Sequence, residues 1–189
     1  METRNSIFIS LVVFDGDDTL WTGLDGGYIS GTIYPDYDRD DFTFRQIKPG
    51  IIQRDDGLRF QLFPEVPAVL SELVRRGVLV SLASYNHHTP LMGTLQAFGI
   101  TGYFQHLTVE WNSRKDKMLR NILRRFTQDG YLVSPMTTLF IDDDYRGIYR
   151  GQMASIGVHF LQKGVDIHNL NELLDHPRFK LVSAQKSLI

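Results

Sequence analysis

Leu11-Val12-Val13-Phe14-Asp15-Gly16-Asp17-Asp18-Thr19-Leu20-Trp21 is the stretch on which the reading of this chain turns. From Ile7 to Phe14 the residues are apolar, several of them β-branched, with Ser10 the single polar interruption. Such a run predicts a buried strand covered on both faces. It breaks abruptly into Asp15, Asp17 and Asp18, with Gly16 allowing a tight backbone path after the first carboxylate. Carboxylates that close repel one another, and a hard, oxygen-seeking cation such as Mg2+ between them relieves the repulsion. An acidic turn capping the next helix is the plainer reading of the same residues.

Downstream, strands and helices alternate. Glu65 to Arg76 carries Val66, Val69, Leu70 and Leu73 as a helical stripe, and Gly77 stops it. Val78 to Ala83 reads as a strand ending at Ser84. Thr89 to Phe98 reads as a helix ended by Gly99, and His106 to Glu110 as a short strand. Ser113 opens a helix through about Phe126, with Met118, Leu119, Ile122, Leu123 and Phe126 on one side. Thr137 to Ile141 is a further buried strand, ending in Asp142-Asp143-Asp144. A helix near Tyr145 to Ser155, the strand Val158 to Leu161 and a helix near Asn169 to Leu174 follow. This alternation predicts an α/β fold: a parallel sheet with helices on both faces in three layers, joined by right-handed crossovers.

Between Trp21 and Phe63 the helical period is lost and Gly, Asp, Tyr and Pro accumulate. We expect a hairpin-and-loop insert at about 22–63 within one domain spanning 1–189, with no large cap domain. Asp56-Gly57 signals the hairpin turn, and Leu58, Phe60 and Leu62 alternate with Arg59 and Gln61 as in a half-buried strand. The run Asp36 to Asp41 has Asp41 and Ile47 where a calcium loop needs glycine and glutamate, so it reads as a solvated acidic loop.

The chain has 189 residues, a formal net charge of −2 and no cysteine. That charge argues against general affinity for nucleic acid or anionic membrane. The lack of cysteine excludes disulfides, thiolate metal sites and cysteine-nucleophile phosphatases. The N-terminal apolar run is too short to span a bilayer and lacks the features of a signal peptide, so a cytoplasmic location is expected.

The polar residues that end the strands fall where ligands bind in open parallel sheets, beyond the carboxyl ends. Asp15 and Asp17 follow the first strand, Ser84 the next, and Asp142 and Asp143 a third, while Lys115 opens a helix. Carboxylates, a hydroxyl and an ammonium on one rim suit a phosphoryl group bound with Mg2+. Gly16 and Asn86 join Ser84 and Lys115 as candidates for substrate binding. Lys117 competes with Lys115, but counting back from the apolar stripe places Lys115 at the helix start. Asp144 reads as the cap of the following helix. Thr19 reads as a residue that fixes the loop by hydrogen bonding. Trp21 and Trp111 either flank the pocket or pack beneath a loop, and His87 and His88 read as loop residues.

These residues resemble the motifs of the haloacid dehalogenase superfamily. Asp15-Gly16-Asp17-Asp18-Thr19 fits its D-x-D-x-T motif, Ser84 its second, Lys115 its third and Asp142-Asp143 its fourth. Phe14 to Trp21, Leu62-Phe63-Pro64-Glu65-Val66-Pro67 and Phe140 to Asp144 are most similar to the magnesium-dependent phosphatase-1 group. The resemblance implies hydrolysis of phosphomonoesters, phosphotyrosine or sugar and fructosamine phosphates, through an aspartyl phosphate on Asp15. It implies Asp17 as general acid and base, and Mg2+ held by the Asp15 carboxylate, the Asp17 main-chain carbonyl and Asp143, with Asp142 in support. The expected partner is a phosphorylated small molecule or phosphoprotein, with no nucleic acid and no membrane. Two alternatives stand beside it: a phosphotransferase loading a glyceryl group onto a carrier protein, and a non-catalytic phospho-ligand binder. A receiver-type domain would place its hydroxyl and lysine after the acidic pair and the phosphorylated aspartate, and here they precede the second acidic cluster.

Overall fold

The apolar run at the N-terminus forms two strands rather than one: β1 (Ile7–Ile9) and β2 (Leu11–Phe14). They divide at Ser10, where the chain changes partners; the Ser10 N–H donates to the Thr137 carbonyl and its own carbonyl accepts from Leu79. The computed structural model describes residues 6–30 and 41–187. After β2 come four short strands, β3 (Trp21–Gly23), β4 (Phe44–Lys48), β5 (Ile51–Arg54) and β6 (Arg59–Leu62). Helix α1 (Val66–Arg75) leads to β7 (Leu79–Ser84), α2 (His88–Phe98), the brief β8 (Thr108–Val109) and α3 (Lys115–Gln128). The remainder is β9 (Thr138–Asp142), α4 (Tyr149–Ile156), β10 (His159–Gln162) and β11 (Phe179–Leu181).

The central sheet has the order β10-β9-β2-β7-β8, and every pairing in it is parallel. β2 lies in the middle because all four of its residues are apolar and buried, so neither face meets water. Val12 and Phe14 pack with Val66, Val69 and Leu70 of α1 and Leu91 and Leu95 of α2. Leu11 and Val13 face the opposite way, onto Met118, Leu119 and Ile122 of α3 and Met153 of α4. This alternation produces the three layers, and each buried side chain of this size contributes about 1.5–3 kcal/mol. Moving outward from β2, the chain runs to β7 and β8 on one side and then returns to β9 and β10 on the other. The crevice where the direction reverses lies at the ends of β2, β7 and β9.

The insert forms an antiparallel sheet ordered β3-β6-β5-β4. Phe60 and Leu62 point inward while Arg59 and Gln61 are exposed, as the alternation predicts. Gly57 supplies the positive φ of the hairpin turn, at 98°. Arg54 at the end of β5 is fully buried: it donates to both oxygens of Asp56 and to the carbonyls of Tyr28 and Ile29. The acidic run discussed above lies, apart from Asp41, outside the described residues.

Two expected helices differ. α4 begins at Tyr149 rather than near Tyr145, because Asp143 to Ile148 form a loop organised by Asp144. The expected helix at Asn169 to Leu174 is a single tight turn, Leu170–Leu173, whose start Asn169 caps through the Asn171 N–H. Among the described residues no helix is long and apolar enough to cross a membrane.

Candidate active site

Asp15 continues the line of β2, with its N–H bonded to the Ile141 carbonyl of β9. The chain then wraps tightly: the Gly16 carbonyl accepts from the N–H groups of Thr19, Leu20 and Trp21, and Asp18 turns through a φ of 56°. Gly16 is required here for space rather than for an unusual φ. A Cβ on it would stand 2.6 Å from Cζ2 and 2.8 Å from Cη2 of Trp21. Trp21 is fully buried, packs against Phe98 and donates from Nε1 to the Asp17 carboxylate at 2.9 Å. It therefore packs beneath the loop and aims a catalytic candidate. Thr19 is buried too, but its hydroxyl bonds no other described residue. Thr19 fixes the loop by hydrogen bonding as expected, but through its amide, while the hydroxyl that bonds here is that of Thr22, to Asp18.

Lys115 is the first residue of α3 and is 1% exposed, whereas Lys117 lies on the surface. The start of α3 is fastened to α4 through Gln152, which accepts from the Asp116 N–H and donates to the Ser113 carbonyl. Lys115 Nζ donates to Asp15 at 2.5 Å and to the Ala83 carbonyl at 2.6 Å, and lies 3.3 Å from Asp142. Burial alone would lower its pKa, but the Asp15 and Asp142 carboxylates hold it well above the ordinary lysine value. Ser84 ends β7, fully buried, and its hydroxyl oxygen accepts from Asn86 at 2.7 Å. Asn86 also donates to Asp17 at 2.9 Å. Burial pushes Asp17 up to about 7, against the lowering effect of the Asn86 and Trp21 hydrogen bonds, with the Asp15 charge adding to the rise.

One carboxylate oxygen from each of Asp15, Asp142 and Asp143 lies within 4.8 Å of the others. The Lys115 ammonium pairs with two of these acids, Asp15 and Asp142. Burial raises Asp142, and burial together with the charges of Asp15 and Asp18 raises Asp143 to about 6. An excess of buried negative charge on convergent oxygens is the donor set of a hard divalent cation, so the residues fit such an ion. Asp142 is the more committed of the pair, accepting from the Asp144 N–H through Oδ1. Asp17 keeps its side chain outside the carboxylate cluster. Asp144 caps α4 as expected, accepting from the N–H groups of Ile148, Tyr149 and Arg150.

A cavity of about 200 Å³ opens over these groups. Asp15, Asp17, Lys115 and Asn86 line it, whereas Ser84 and Gly16 are buried and are not among its lining residues. Its walls are aromatic: Tyr28, Tyr85, Trp111, Tyr145 and Tyr149. Trp111 flanks the pocket, edge-on to Tyr85 at 5.0 Å and stacked on His87 at 4.3 Å, while His88 is exposed. The tyrosines and Arg146, which also lines the cavity, were not singled out from the sequence as site residues. For Tyr85 and Tyr145 the available signal was proximity to a strand end carrying a motif.

The fold and site define a three-layer α/β domain with a crevice built around paired aspartates. The profile of the family described as Acid Phosphatase matches residues 7–178, and the chain belongs to that family. Its fold is shared with a HAD-superfamily hydrolase of subfamily IA from Geobacter sulfurreducens, at a TM-score of 0.59 and 14% identity over 88% of this chain and 98% of that one. A HAD-superfamily hydrolase from Ehrlichia chaffeensis gives 0.59 and 14%, covering 88% and 95%. The N-terminal part of a Bacteroides fragilis protein, containing a phosphatase domain and complexed with Mg, gives 0.56 and 17%, covering 93% of this chain and 42% of that one. Comparison with curated protein sequences gives no match.

Proposed function

We propose that this chain is a Mg2+-dependent phosphomonoester hydrolase that works through an aspartyl phosphate on Asp15, in the manner of the magnesium-dependent phosphatase-1 group. The observation that carries the reading is the buried Lys115 ammonium holding Asp15 at the end of β2, with Asp17 beside it at a pKa of about 7. An Asp15 oxygen attacks phosphorus as the bond to the leaving oxygen breaks, and Asp17 gives that oxygen its proton. Water then attacks phosphorus, Asp17 takes its proton, and inorganic phosphate and free Asp15 result. Ser84, whose hydroxyl oxygen already accepts from Asn86, keeps its proton to donate to a phosphoryl oxygen. Asp15, Asp143 and the Asp17 main-chain carbonyl would hold Mg2+, with Asp142 in support, and the ion supplies charge neutralisation at the phosphoryl oxygens.

Phosphotyrosyl groups and sugar or fructosamine phosphates are the substrate classes we favour, presented on something larger. In support, Tyr28, Trp111 and Tyr145 stand 49%, 47% and 65% exposed around the mouth. The test is phosphate release from an aryl phosphate with and without Mg2+, by wild type and Asp15→Asn. We expect Mg2+-dependent turnover that the substitution abolishes. Substantial turnover by pure Asp15→Asn protein would remove Asp15 as the nucleophile. Phosphoryl transfer to an acceptor without release of free phosphate would favour the phosphotransferase reading.

A further inference from the structure

The cavity carries two cations at different depths. Lys115 lies at the bottom, committed to Asp15 and Asp142. Arg146 lines the same cavity from the exposed loop between β9 and α4. Among the described residues no carboxylate lies within ion-pair distance of Arg146, whereas Arg59, Arg114 and Arg150 each have one. Its Nε donates to the Tyr145 hydroxyl at 2.7 Å, and its guanidinium carbon sits 5.2 Å from the Tyr145 ring centre and 5.7 Å from that of Tyr85. These contacts hold the side chain in place without neutralising it. The loop beneath it is itself fixed, since Asp144 accepts from the successive N–H groups of Ile148, Tyr149 and Arg150 where α4 begins.

Among the described residues, this cation at the mouth of the pocket pairs with no carboxylate. Its planar fork suits a carboxylate. The reaction centre below is already furnished with Lys115, so the group that reaches Arg146 belongs to the far end of the substrate. Between the two depths the walls are aromatic faces and edges, which suit a ring. We propose that Arg146 is a specificity residue that pairs with a carboxylate on the leaving group, so that the preferred monoesters join phosphate to a ring bearing an acid. This rests on the hydrolase reading of the site.

The experiment compares 4-carboxyphenyl phosphate with 4-carbamoylphenyl phosphate and phenyl phosphate. The carbamoyl compound matches the acid in shape and has the better leaving group, so chemistry alone would favour it. Wild type should show kcat/KM about tenfold higher for the acid than for the amide, the scale of one charge-assisted pair. Arg146→Gln should bring that ratio to one or below, and Arg146→Lys should keep part of it. An unchanged ratio in Arg146→Gln would overturn the proposal. Equal loss on all three esters would do the same, by assigning Arg146 to the phosphoryl group. Calorimetric binding of the three esters to Asp15→Asn protein, with and without Arg146→Gln, reads the same ratio without turnover. Should wild type release no phosphate from any ester, the hydrolase reading fails while these binding ratios still decide the role of Arg146.

Discussion

Gly16→Ala tests whether the turn after β2 is shaped by the indole beneath it. The new methyl would stand 2.6 and 2.8 Å from two carbons of Trp21, against about 3.5–4.0 Å for relaxed carbon contacts. Either the indole or the turn has to shift by about 1 Å. The indole is fully buried against Phe98, and the turn is pinned by three N–H groups on the Gly16 carbonyl, so neither moves freely. Overpacking of this kind costs about 1–3 kcal/mol. Displacing Nε1 also loosens its bond to Asp17, so activity should fall along with stability. Urea unfolding measures the first effect and phosphate release the second. Trp21→Phe deletes the ring edge that the methyl meets, so in that background Gly16→Ala should cost at least about 1 kcal/mol less. A Gly16→Ala protein within about 0.5 kcal/mol of wild type, or an equal cost in both backgrounds, would refute the reasoning.

Two further outcomes follow from single side chains. Asp144→Ala removes the acceptor for the N–H groups of Ile148, Tyr149 and Arg150 and leaves alanine at a φ of 42°, so stability should fall by about 2 kcal/mol, roughly 4–8 °C in thermal midpoint, with Asp144→Asn losing less. The hydrogen bonds from Arg54 hold Asp56 below the ordinary aspartate pKa of about 3.9, so their pairing stabilises the fold above that value and is lost as pH falls through the lower, folded one. Urea midpoints measured against pH should therefore decline less steeply below about pH 4 for Asp56→Asn than for wild type, from a lower value at neutrality.

The sequence made the central sheet legible because its signal is local. Leu79 to Ser84 and Thr138 to Asp142 are apolar runs that stop at a polar residue, and the stripe of α3 counts back to Lys115. The break at Ser10 was not legible, since it depends on β11 arriving from more than 160 positions away to pair with β1. The tight path at Gly16 was legible, but the reason for it was not. A glycine after an aspartate suggests backbone freedom, and only the packed indole shows that the missing Cβ is what counts. That Thr19 bonds through its amide and not its hydroxyl was not legible, because a hydroxyl's partner is set by orientation rather than by type. The aromatic mouth was hidden because tyrosines from the insert, the end of β7 and the β9–α4 loop converge only in three dimensions.

One part of the site was accessible to the strand-end rule and still passed over. Gln162 and Lys163 terminate β10 just as Asp142 and Asp143 terminate β9, and their bonds reach both acidic loops. Gln162 donates to the Asp143 carbonyl at 3.0 Å. Lys163 donates to the Asp18 carbonyl at 3.1 Å, with its ammonium 3.1 Å above the ring of Phe63. Burial lowers the Lys163 pKa to about 8, although Glu65, Asp18 and Asp143 pull it upward. Asp166 completes the arrangement by accepting from the Gln162 N–H and from Arg150 of α4. The loops bearing Asp15 and Asp143 are thus tied to a common strand end, and their spacing is set by the sheet rather than by loop flexibility. Among the described residues the insert adds a four-stranded sheet and no large cap, so on the proposed reading the precision of the site has to come from below. The end of β10 supplies it from the sheet, leaving the mouth around Trp111 and Arg146 open to select what enters.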